Sequence, residues 1–105
     1  MIHPFLQQKL PLLIPLFKLH KVSEAYAFGS VCTDRFNDES DVDLLVDFDN
    51  QLAPADKGEL MWNMWDEIEK LLNRKVDLVS QTSLSNPYFI EEMNETRVLL
   101  YGKAS

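Results

Sequence analysis

Three short apolar runs restrict this chain to a small set of folds. Ala25-Tyr26-Ala27-Phe28 ends at a Gly29-Ser30 turn, Val42-Asp43-Leu44-Leu45-Val46-Asp47-Phe48 exits at Asp49-Asn50, and Val76-Asp77-Leu78-Val79 follows later. Each reads as a strand bounded by polar or turn-forming residues. From about Lys57 to Asn73, Leu60, Met61, Met64, Trp65, Ile68, Leu71 and Leu72 keep a helical period, so their Met and Trp side chains are core material. Ser85-Asn86-Pro87 supplies a cap and an N1 proline for a helix through about Met93, and Arg97 to Tyr101 forms a last short apolar segment. Upstream, Leu13, Leu16, Phe17 and His20 fall on one helical face, and His20 reads as a helix-end residue. Pro11 and Pro15 are tolerated near a helix start, so two helical pieces are expected in the first twenty residues. The order helix, strand, turn, strand, helix, strand, helix predicts a mixed α/β (α+β) domain, with one three- or four-stranded mixed sheet flanked by helices. It is expected to be a single domain over residues 1–105.

At 105 residues and 46% hydrophobic content the chain can form one core, which argues against disorder. Its net charge of -7 argues against direct nucleic-acid binding, which needs clustered Lys and Arg. The acidity fits a solvated surface, a basic protein partner, or a site that holds cations. Cys32 is the only cysteine, so neither an intramolecular disulfide nor a zinc-thiolate cluster is available, and a reducing, cytoplasmic setting is expected. The apolar stretch Leu10 to Phe17 lacks a basic leader and a cleavage site, is broken by two prolines, and is too short to span a bilayer. Neither targeting nor a membrane role is expected.

The chemistry concentrates around Asp41 and Asp43. Side chains alternate along a strand, so these carboxylates share one face while Val42 and Leu44 take the other. Two carboxylates held side by side repel and are costly to desolvate unless cations accompany them. Oxygen-only ligation suits Mg²⁺ or Mn²⁺, and Mg²⁺ commonly shares its shell with substrate phosphates. A glycine at the strand end lets a phosphate chain approach the backbone, and the Ser30 hydroxyl can bond a phosphate oxygen. Asp77 is a third carboxylate in an apolar strand, beside Asp43 if the second and third strands are neighbours. An Asp-x-Asp or a Gly-Ser alone is a weak signal; the conjunction, with twelve residues from Gly29 to Asp41, is strong.

Gly29-Ser30, the spacer, Ser40-Asp41-Val42-Asp43-Leu44-Leu45-Val46 and Val76-Asp77-Leu78-Val79 together resemble the DNA polymerase beta-type nucleotidyltransferase superfamily, and within it the minimal nucleotidyltransferase (MNT) branch. That resemblance implies transfer of a nucleoside monophosphate from an NTP to a hydroxyl, with pyrophosphate released. It implies two Mg²⁺ (or Mn²⁺) ions held by Asp41 and Asp43, with Asp77 completing the acceptor-side site. Gly29 and Ser30 would hold the triphosphate, with Ser40 and Arg35 as further nucleotide contacts. The sequence departs from the pattern at Val31-Cys32-Thr33-Asp34-Arg35: Thr33 takes the place of an arginine common in the family, and Arg35 is its candidate substitute.

Two functions compete. In the first, the chain adenylylates a protein hydroxyl with ATP as donor. The resemblance to the MNT branch makes an all-helical HEPN-type protein the expected acceptor, in a toxin–antitoxin pair. In the second, a degenerate nucleotidyltransferase fold only masks its partner. The altered residues 31–35 favour masking, and the intact carboxylates favour catalysis.

Overall fold

The structure is a computed structural model and describes residues 2–80 and 86–102. Helix α1 (Pro4–Leu19) starts at His3, whose Nδ1 accepts the Phe5 amide, and Pro4 takes the first turn. Pro11 and Pro15 lie inside this single helix, so the expected break into two pieces does not occur. Both prolines are exposed while Leu6, Leu13 and Phe17 are buried. The missing N–H groups therefore fall on the outer side of the helix, and core packing of the opposite stripe outweighs them. The helix ends at His20, which is buried and whose ring bonds the Leu16 carbonyl.

A left-handed Lys21 turns the chain into β1 (Val22–Phe28), which pairs antiparallel with β2 (Val42–Phe48). Helix α2 (Pro54–Leu72) then crosses to β3 (Val76–Ser80), which pairs parallel with β2. Helix α3 (Pro87–Thr96) is capped by the Asn86 side chain; Ser85 lies outside the described residues. The last strand, β4 (Val98–Tyr101), joins the other side of β1 antiparallel. The result is the expected mixed sheet, with four strands in the order β3-β2-β1-β4.

Alternation along the strands divides the interior. Ala25, Ala27, Leu44, Val46, Val76 and Leu78 face α1 and α2 and form the main core with Leu6, Leu13, Phe17, Met64 and Ile68. On the other face a smaller cluster of Phe28, Leu45 and Met93 is roofed by α3, with Phe89 edge-on to Phe28. Asp43 has the parity of Leu45, and Asp77 that of Val79, so both carboxylates belong to the α3 face. Among the described residues no helix is long and apolar enough to cross a membrane.

Candidate active site

Register brings the carboxylates together. In the parallel β2–β3 pair Asp43 stands opposite Asp77, and in the antiparallel β1–β2 pair it stands opposite Phe28, the residue before Gly29. Asp41 precedes β2 by one residue and is exposed, as is Asp77, whereas Asp43 is half-buried. Burial pushes the Asp43 carboxyl up to about 6, with Asp77, Asp41 and Glu92 each adding repulsion. All three charges felt by Asp43 are negative, so the site attracts cations.

Gly29 opens a short 3-10 turn, Gly29–Cys32, with a positive φ of 74°. Only glycine suits this place twice over: its backbone is left-handed, and a Cβ there would overlap Oδ2 of Asp43. The Gly-Ser turn thus rests directly against the central carboxylate. The Gly29 N–H donates to Thr96 Oγ1 at 2.9 Å, which ties the turn to the end of α3. Ser30 is half-exposed in the turn, and its carbonyl accepts the Thr33 amide and hydroxyl.

The remaining candidates are less central. Ser40 Oγ accepts the Asn37 amide, which turns it into the loop before Asp41. Arg35 is exposed on that loop and is not among the charges acting on Asp43. Glu92 on α3 was not a candidate from sequence; no spacing rule links it to Asp43, and only the docking of α3 does. A concavity of about 690 Å³ lies elsewhere, between His20, Trp65, Glu69 and Val76 on the α2 side.

The donor set fits Mg²⁺ or Mn²⁺: oxygen ligands only, like charges gathered on adjacent strands, and a glycine leaving space at Asp43. The carboxylates stand as neighbours rather than as a closed ligand shell, since no three His, Cys, Asp or Glu side chains among the described residues are grouped at metal-binding spacing.

Comparison with known proteins agrees with this architecture. "Putative protein adenylyltransferase MJ1379" of Methanocaldococcus jannaschii is 34% identical over 76 residues, which is 72% of this chain and 74% of that protein. A solved "putative minimal nucleotidyltransferase" is 28% identical, with a TM-score of 0.66 over 93% of this chain and 95% of the other. The fold is also that of a chain in a solved structure of tri-AMPylated Shewanella oneidensis HEPN toxin in complex with MNT antitoxin (TM-score 0.66, 22% identity, covering 92% of this chain and 72% of that one). The polymerase beta nucleotidyltransferase domain matches residues 12–105, which takes in the Gly-Ser turn and all three carboxylates. A glycine-serine turn pressed against paired strand carboxylates, in a sheet of this order, thus has its place: the chain belongs to the polymerase beta nucleotidyltransferase family.

Proposed function

We propose that this nucleotidyltransferase moves AMP from ATP to a hydroxyl on a partner protein, with Asp41, Asp43 and Asp77 as its metal ligands. The pairing of Asp43 with Asp77 in register on β2 and β3 is the observation that carries this reading. Asp41 and Asp43 would hold both cations and Asp77 the acceptor-side one. Bound Mg²⁺ supplies charge neutralisation for the attacking and leaving oxygens of an in-line displacement. Gly29 keeps the turn close to Asp43, so that the Ser30 hydroxyl can bond the departing pyrophosphate, with Ser40 and Arg35 as outer nucleotide contacts. Asp77, on the exposed side, orients the incoming hydroxyl.

The partner class rests on the neighbours: a similar fold pairs with a HEPN toxin that carries AMP groups. The acceptor is therefore a Tyr, Ser or Thr of an all-helical HEPN-type protein, and the cytoplasm is the compartment where ATP and Mg²⁺ are available. One observation favours masking without transfer: the Gly29 amide is already engaged by Thr96. Incubation with ATP labelled at the α-phosphate, Mg²⁺ and the helical partner separates the two. Transfer predicts label on the partner, and none when EDTA is present from the start. A bound but unlabelled partner decides for masking.

A further inference from the structure

The loop that delivers Asp41 is closed by local hydrogen bonds but has little apolar anchoring. Between Cys32 and Val42 only Phe36 is buried. Its support comes from Arg74, which sits in the link between α2 and β3. The guanidinium lies over a contacting ring pair, with Cζ 4.7 Å from the centre of Phe5 and 4.6 Å from that of Phe36, whose own centres are 6.0 Å apart. The His3 ring meets Phe36 at a tilt of 51°, with ring centroids 4.8 Å apart. From that position Nη1 donates to the Asn37 carbonyl at 2.8 Å and to the Ser40 carbonyl at 2.6 Å. The Asn37–Ser40 turn closes on itself as well, through Ser40 N–H to the Asn37 carbonyl and Asn37 N–H to Ser40 Oγ.

The Ser40 carbonyl belongs to the peptide plane that leads into Asp41. The next ladder bond, from the Val42 amide to the Lys75 carbonyl, comes from the residue after Arg74. Asp41 is therefore held on both sides by the same two-residue link, which continues within three residues to Asp77. Arginine suits this task because its flat guanidinium lies against the rings while one of its nitrogens bonds both carbonyls, a geometry that a compact, strongly hydrated ammonium on a flexible stem holds less firmly.

We propose that Arg74 is a positioning residue for Asp41, fixing the Ser40–Asp41 peptide so that this carboxylate enters the metal site beside Asp43. The proposal rests on the reading of Asp41 as a metal ligand. Arg74 bonds the Asn37 and Ser40 carbonyls and acts through the loop, as the outer partners of metal ligands do.

The test uses the full chain and Mn²⁺, with an ATP analogue bearing a methylene between the α and β phosphates. Mn²⁺ affinity is read from water-proton relaxation, so turnover is not required. Arg74→Lys should weaken Mn²⁺ binding by about tenfold or more. Amide resonances of Asn37 to Val42 should shift while those of α3 stay in place. With an active partner assay, the Mg²⁺ requirement should rise in step. Phe36→Leu keeps Arg74 and its two carbonyl bonds and should lose less. Arg74→Lys that is folded and binds Mn²⁺ as tightly as wild type overturns the proposal. So does an equal loss in Phe36→Leu, which would assign the effect to loop packing. Wild type that fails to bind Mn²⁺ with the analogue overturns the metal reading itself, and this proposal with it.

Discussion

Asp43→Asn should make the metal-free protein more stable at neutral pH. The Asp43 carboxyl is raised from 3.8 to about 6 by burial first and then by Asp77, Asp41 and Glu92, so its charged form is disfavoured in the folded state. A shift of about two units corresponds to roughly 3 kcal/mol at most, and the half-exposed setting reduces this to about 1–2 kcal/mol. The sign follows from proton linkage. Below about pH 4 the carboxyl is protonated in both folded and unfolded chains, and this group lowers stability in neither. Between about pH 4 and pH 6 the unfolded chain releases its proton while the folded one retains it, so stability falls as pH rises, and the loss is complete above the folded value. Asparagine does not titrate. The two proteins should therefore melt alike near pH 4, and the variant should melt higher at pH 7.5, by roughly 5–10 °C for a domain of this size. Circular-dichroism melts in EDTA at pH 4, 5, 6 and 7.5 give the comparison. A variant that melts at or below wild type at pH 7.5, or a difference that does not change with pH, would refute the reasoning.

With Mg²⁺ or Mn²⁺ and a non-hydrolysable ATP analogue at about 100 times the dissociation constant, wild type should gain about 2.7 kcal/mol of stability; Asp43→Asn should gain none, and scanning calorimetry reads both. Gly29→Ala should lose about 1–2 kcal/mol from its left-handed backbone and should push the Asp43 carboxylate aside, so urea melts fall and the metal-dependent gain disappears. Thr96→Val removes the acceptor of the Gly29 amide and should cost about 1 kcal/mol, with Thr96→Ser restoring it; equal stability of all three would show that the bond contributes nothing.

Much of this architecture is legible in local pattern. Strand β2 spans Val42–Phe48 as its apolar run predicts, and the opposite parity of Val42 and Asp43 follows from strand alternation alone, whereas Asp41 lies one residue before the strand. The misreadings share a cause, which is that long-range packing leaves no local mark. Strand β1 begins at Val22 rather than Ala25, because pairing of Val22 and Glu24 with Phe48 and Asp47 extends it through polar residues. Two prolines suggested a helix break, yet burial of Leu6, Leu13 and Phe17 carries α1 past them. At the site, Asp43, Asp77 and the Gly-Ser turn carry visible signals; Asp43 meets Asp77 because β2 and β3 are neighbours, and it meets the turn because β1 pairs with β2. Glu92, Thr96 and Arg74 reach the site through contacts 34 to 67 residues apart or through the docking of α3, which no sequence spacing announces.

The most direct test of carboxylate-dependent AMP transfer is the intact mass of the helical partner after co-expression with this chain. With wild type the partner should gain one or more adenylyl groups, and with Asp43→Asn it should gain none while remaining bound. A partner that stays unmodified with wild type, or that is modified equally with Asp43→Asn, would contradict the account.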